Sequence, residues 1–195
     1  MSDQPNSAWA NPTPAALVAL SGATFCFFAL LTGKVSHEAL PLLGCILIGG
    51  FVVQLLTALL DLKSGSSGGG NAFLMFSCLI MLVSGLEAFF KATGGVDARI
   101  DGWLWIAITI SLILWAPGFT KGPFFLFAIV IVLIPAAGII ALTDLQLIPA
   151  ATFSPIAGWL LLLGGIIGLY LAAALLVNGI KGKTFYPNPM MGMKK

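Results

Sequence analysis

Charge is what this chain has least of. Only 8% of its 195 residues are Asp, Glu, Lys or Arg, where a soluble domain carries roughly 25%. A water-facing surface cannot be built from so few charges, which excludes a soluble globular protein. The net charge of +2 is too small to recruit a nucleic acid. Histidine is scarcer still: His37 is the only one, in a polar stretch beside Glu38, read as a solvated loop residue whose neutral-range titration leaves a pH-sensing role open. Cys26, Cys45 and Cys78 fall inside apolar runs with no paired spacing and no neighbouring His or acid. They read as small hydrophobes, with no disulfide, metal or redox role. No zinc, Ser-His-Asp or dinucleotide motif is present, so neither an enzyme nor a cofactor is expected.

What the chain does have is hydrocarbon. Hydrophobic residues make up 59%, and the mean hydropathy is +1.06. Apolar runs fall at 14–32, 39–60, 71–90, 102–119, 123–142 and 155–180. Each is long enough, at about 1.5 Å per residue, to cross a hydrocarbon core of roughly 30 Å with some tilt for the longest. The expected fold is an all-α integral membrane bundle of six helices, residues 14–180, between a polar tail at 1–13 and a basic tail at 181–195. The first tail carries Asp3 and no basic residue, unlike a cleaved secretory signal.

Six spans put the two tails and the second and fourth loops on one side. That side holds Lys63, Lys121, Lys181, Lys183, Lys194 and Lys195, against Lys34, Lys91 and Arg99 on the other. Six basic residues against three predicts both termini in the cytosol and a plasma or inner membrane location. The run from Lys63 to Asn71, with Gly65 and Gly68-Gly69-Gly70, reads as a flexible cytosolic linker without a phosphate-loop signature.

The polar minority inside the spans is where function is expected, because each such group must be paired, hydrated or used. Gly50, Gln54, Thr57 and Asp61 recur at intervals of 4, 3 and 4 and share one helical face. Tight helix packing and a pathway lining are both open readings of that stripe. Phe76, Ile80, Val83 and Glu87 follow the same intervals in the third span. A carboxylate near a helix centre costs about 2.5–3.5 kcal/mol on insertion scales and less toward the interface. Glu87 is therefore either an interfacial partner of Lys91 one turn later or a group that couples protons to solute movement. In the fifth span Pro135-Ala-Ala-Gly138 predicts a kink. In the sixth, Gly164, Gly168 and Ala172 form a small-residue ridge suited to helix or subunit packing.

The first span opens with Asn11-Pro-Thr-Pro-Ala-Ala-Leu17. Thr13 suits the N-cap and Pro14 the first helical position. The free N–H groups of a helix start also favour a carboxylate, and Ser21 and Thr24 follow on adjacent turns. This motif resembles the Asn-Pro-Ala-Pro-Leu-Gly-Leu signature of the acetate uptake transporter family, the succinate–acetate permeases and their fungal relatives. Gly49-Gly50, Gln54 and Ala58-Leu-Leu-Asp-Leu-Lys-Ser-Gly65 resemble that family's second span and its exit. Asn71-Ala-Phe73 is similar to the start of its third, and Ala157-Gly-Trp159, Tyr170-Leu-Ala172, Asn178, Gly182, Thr184 and Pro187 to its last span and exit. Residues 92–150 carry the least of the likeness.

The resemblance implies a homo-hexamer of six-helix protomers in the lipid bilayer, each with its own pathway for small monocarboxylates and sometimes succinate. It implies an apolar constriction that falls here on Leu20, Phe76 and Leu133. Leu20 replaces an aromatic and Phe76 a tyrosine, and Glu87 stands where the family has an apolar residue. An anion must shed water to cross such a constriction, at a cost of several kcal/mol, while the neutral acid crosses more cheaply. The expected function is proton-linked movement of a small carboxylate, with Asn11, Pro12, Thr13, Pro14, Ser21, Thr24, Gln54 and Asn71 as substrate-binding steps. A passive channel for anions, urea or ammonia, and a non-transporting membrane scaffold, are the competing readings.

Overall fold

A computed structural model describes residues 10–191. Asp3, Lys194 and Lys195, which entered the charge comparison between the two sides, lie outside the described residues. Six helices follow in order: α1 Thr13–Leu31, α2 Leu40–Lys63, α3 Ser67–Thr93, α4 Arg99–Phe119, α5 Phe124–Asp144 and α6 Ala150–Lys181. A 3-10 turn, His37–Ala39, leads into α2. All six are long and apolar enough to cross a membrane, and the molecule is a multi-pass membrane protein.

Several boundaries move from their expected places, each for a local reason. The residues between Lys63 and Asn71 are not a flexible linker: α3 begins at Ser67, leaving three residues between the helices. Its glycines are used for close approach. A Cβ on Gly70 would lie 2.6 Å from Leu62 Cγ, and one on Gly69 3.1 Å from Asp61 Oδ2. Helix α4 begins at Arg99 and runs through Pro117 to Phe119, and α6 begins at Ala150, five residues before the expected start. Pro135 sits within an unbroken α5. At the start of α1 the cap is Pro12, not Thr13, so Pro14 is the second helical residue, and Asn11 Oδ1 accepts the Thr13 N–H at 3.0 Å.

In the middle of α3, Phe76–Leu82 is a π-helix, which no periodicity in the sequence announces. A π turn inserts extra residues into the helical repeat and is common at functional sites. Here it shifts the face that α3 presents further along.

Five helices surround a central space and α2 packs outside them. The most extensive contacts join α1 to α6, α6 to α5 and α5 to α4, with α2 linking α1 to α3. Small residues permit the closest crossings, where van der Waals packing is the main attraction available in lipid. The ridge on α6 meets α1 and α5: a Cβ on Gly168 would stand 2.7 Å from Ser21 Oγ, and one on Gly164 3.3 Å from Leu133 Cδ2. Gly44 and Gly85 play the same part between α2 and α3, where a Cβ on Gly44 would approach Gly85 O at 2.7 Å.

The segment after α6 folds back over the bundle. Asn178 Oδ1 accepts the N–H groups of Phe185 and Tyr186 at 2.8 and 2.9 Å, and its Nδ2 donates to Tyr186 O. Tyr170 Oη donates to Pro187 O, and Met191 N–H to Gly122 O, both at 2.9 Å. These bonds strap residues 185–191 to α6 and to the α4–α5 turn.

Candidate functional site

Helix α1 brings Leu20, Ala23, Thr24 and Phe27 to the central space. There they meet Phe76, Ile80 and Met81 of α3, Trp105, Ile108 and Leu112 of α4, Leu133, Ala137 and Ile140 of α5, and Leu161 of α6. The three residues aligned with the constriction, Leu20, Phe76 and Leu133, thus line one chamber, at 4%, 4% and 6% exposure. The chamber holds about 40 Å³, space for about three water molecules. Thr24 is the one lining residue with a hydroxyl, and that hydroxyl donates to Ser21 O at 2.9 Å. A solute in the chamber meets hydrocarbon on all sides.

Toward the ends of α1, α3 and α5 the chamber adjoins an open vestibule of about 420 Å³. Phe27, Trp105 and Ile140 line both spaces and form the step between them. Ser84, Ala88 and Lys91 of α3 line the vestibule, with His37 and Asp144. The stripe on α3 that lines these two spaces is therefore Phe76, Ile80, Ser84, Ala88 and Lys91. The expected stripe ran to Val83 and Glu87, and the π segment displaces it by one residue. Glu87 flanks the vestibule, and its Oε2 lies 3.6 Å from Lys91 Nζ. Lys91 Nζ also pairs with Asp101 Oδ2 of α4, and Asp144 at the end of α5 stands within electrostatic reach of both.

Several of the remaining polar positions bond to neighbouring helices. Gln54 is fully buried, and its Nε2 donates to Ala16 O at 3.4 Å. Thr57 Oγ1 donates to Pro12 O at 3.5 Å, and Thr13 Oγ1 to the Asp61 carboxylate at 3.3 and 3.4 Å. The stripe on α2 thus holds down the first turn of α1. The carboxylate that meets this helix start is the protein's own Asp61, favourably placed by the partial positive charge there, and Pro14 is buried beneath it. Ser21 Oγ donates to Leu17 O at 2.8 Å and Gly165 O at 2.9 Å, joining α1 to α6. Asn71 lies at the other end, in an open cleft with Ser67, Trp115 and Phe119, and donates to Ser67 O at 2.8 Å.

Asp61→Ala is expected to lower the melting temperature in detergent by about 4 °C, because a hydrogen bond to a charged group contributes about 1.5–3 kcal/mol and 1 kcal/mol is worth about 2–4 °C at this size. Asp61→Asn keeps an acceptor for Thr13 and should recover part of the loss. Equal melting temperatures for the Ala variant and the parent would remove the role given to this bond.

The step at Trp105 and the charges at Asp101 and Asp144 were not among the expected site residues. The signal for them is arithmetic already used elsewhere. Asp101, Trp105, Ile108 and Leu112 recur at 4, 3 and 4, as do Leu133, Ala137, Ile140 and Asp144. Each series is one helical face that starts or ends on a carboxylate.

The fold and this site define a helical membrane protein with an apolar chamber between an open vestibule and a packed helix start. The chain is similar in structure to the bacterial acetate channel SatP, with a TM-score of 0.82 and 22% identity over 93% of this chain and 99% of that one. At that identity the likeness is one of fold. No family model matches the sequence, and no curated protein matches it.

Proposed function

We propose that this protein moves small carboxylates across a membrane, the monocarboxylate acetate first and the dicarboxylate succinate with it, as the neutral acid and so linked to protons. The observation that carries this reading is the meeting of Leu20, Phe76 and Leu133 in one apolar chamber, in a fold similar to that of an acetate channel. A dry lining offers a carboxylate anion nothing in exchange for its hydration shell, while a protonated acid gives up far less. The sequence motifs support a homo-hexamer, and the excess of basic residues on one side supports both termini in the cytosol of a plasma or inner membrane. Gly22 and Gly49 face open space on the exposed sides of α1 and α2, as suits close subunit contact.

In liposomes carrying the purified protein, labelled acetate uptake is expected to exceed that of empty liposomes and to rise with an inward proton gradient. Uptake indifferent to collapse of that gradient would end the proton linkage. No flux of acetate, succinate or urea above the empty controls would leave a scaffold. A second reading, a passive channel for small neutral solutes such as urea or ammonia, is favoured by the absence of any charged lining residue in the chamber. Flux that does not saturate with concentration would select it.

A further inference from the structure

The chamber explains why an anion is a poor passenger, and the vestibule in front of it carries a separate feature. Its charged groups come from three helices. Lys91 on α3 pairs with Asp101 on α4 and with Glu87 one turn back, and Asp144 of α5 shares the vestibule lining with Lys91. Three carboxylates against one ammonium leave an excess of two negative charges when all are ionised.

The other ionisable groups nearby do not offset this. Asp97 and Arg99, in the turn that joins α3 to α4, form a pair at 2.6 Å, and the Arg99 guanidinium holds the Asp97 carboxyl down to about 2, so together they add no net charge. Lys34 and Glu38 are exposed on the turn before α2 and oppose one another. His37 is the remaining titratable group in the lining.

Lys91 is poorly placed to receive a carboxylate from solution. Its ammonium is already shared between Glu87 and Asp101, and an incoming anion would compete with Asp101, which is 3% exposed. That carboxylate would then be left as a buried charge without its partner, a costly state. Nor do the acidic groups form a cation site, since among the described residues no three or more His, Cys, Asp or Glu side chains could hold a metal ion. The network therefore acts on a solute through its field. The lining itself carries Asp144 and Lys91, of opposite sign; the excess of negative charge comes from Glu87 on the flank and Asp101 buried behind Lys91, and low-dielectric walls focus that net field on a solute. The open cleft at the opposite end, by contrast, has no charged residue in its lining.

We infer that the vestibule is a charge filter, in which Asp144, Glu87 and Asp101 together outweigh Lys91, so that carboxylate anions are kept from the Trp105 step and the neutral acid reaches it. The filter rests on the proposed movement of small carboxylates for the identity of its solute, and it makes Asp144 a specificity-determining residue. It also gives the pathway an asymmetry: discrimination against the anion operates at the vestibule end and not at the Asn71 end.

Charge-matched thiol reagents test the field without requiring transport. Ser84 and Val96 line the vestibule, and each is replaced in turn, Ser84→Cys and Val96→Cys. The reaction rates of a cationic and an anionic methanethiosulfonate of similar size are measured at the new thiol, above the background of Cys26, Cys45 and Cys78 in the unsubstituted protein. Relative to a free thiol in solution, the cationic reagent is expected to be favoured by about tenfold or more. Adding Asp144→Asn should reduce that preference severalfold.

A preference equal to that of the free thiol, or one unmoved by Asp144→Asn, would overturn the filter. Acetate flux measured on the same preparations separates the two proposals. A strong cationic preference with no acetate flux leaves the filter standing and removes the transport reading. Acetate flux with no preference at either thiol does the reverse.

Discussion

Phe76→Ala raises acetate flux by about tenfold, and Phe76→Tyr raises it severalfold with little loss of stability. Both expectations follow from the chamber, where Phe76 is 4% exposed and faces Leu20 and Leu133 across a space of about 40 Å³. Removing the ring enlarges the chamber, and a barrier lowered by about 1.4 kcal/mol is a factor of ten in rate. Adding a hydroxyl instead keeps the ring in place and gives a crossing solute a further hydrogen-bonding partner in a lining whose one hydroxyl, on Thr24, already donates to Ser21 O. Phe→Ala costs about 3–5 kcal/mol in well-packed cores, so Phe76→Leu serves as the milder truncation if the alanine variant does not fold. Flux measured in liposomes that stays at the parent level for the tyrosine and leucine variants would show that Phe76 does not limit passage.

Gly165→Val abolishes the folded protein, and Gly165→Ala lowers its melting temperature by about 5 °C. A Cβ at this position runs into Thr24 Oγ1 and comes within 3.0 Å of Phe25 Cδ2, on the most extensive helix contact in the molecule. Overpacking of this kind costs about 1–3 kcal/mol for one added carbon, and 1 kcal/mol corresponds to about 2–4 °C in a chain of this length. Two branched methyl groups add clashes with both side chains at once. The double variant Gly165→Ala/Thr24→Ala removes the nearer of the two and should recover part of the loss. Non-additivity in that cycle, read by thermal unfolding in detergent, is the measurement. A single variant as stable as the parent would mean that α1 can shift away from α6 at no cost.

How far the site could be read from the sequence varies by helix. On α2 the intervals of Gly50, Gln54, Thr57 and Asp61 correctly place four residues on one face. Periodicity alone cannot say what that face meets: Gly50 faces Met81 of α3, while Gln54, Thr57 and Asp61 bond to Ala16, Pro12 and Thr13. The glycine ridge on α6 was equally visible, and its use between helices of one chain depends on which helix lies opposite. On α3 the α-helical intervals hold up to Ile80 and fail beyond it, because the π segment Phe76–Leu82 re-phases every later residue. That is why Glu87 moves to the flank and Lys91 turns toward the vestibule.

Scarcity of charge and six long apolar runs determined, without any coordinates, that the chain is a bundle of membrane-spanning helices, because few charges over so much hydrocarbon leave no stable alternative in water. The residue intervals further determined which side chains share a face. Only the tertiary structure decided which faces converge. Leu20, Phe76 and Leu133 are far apart in the chain; α6 glycines let α1 and α5 pack closely against α6, and α2 joins α3, with Phe76, to α1. Lys91, Asp101 and Asp144 lie at the ends of three separate helices and become one network because those ends surround the same vestibule. Contacts of this kind arise from packing between helices, and no local rule along the chain contains them.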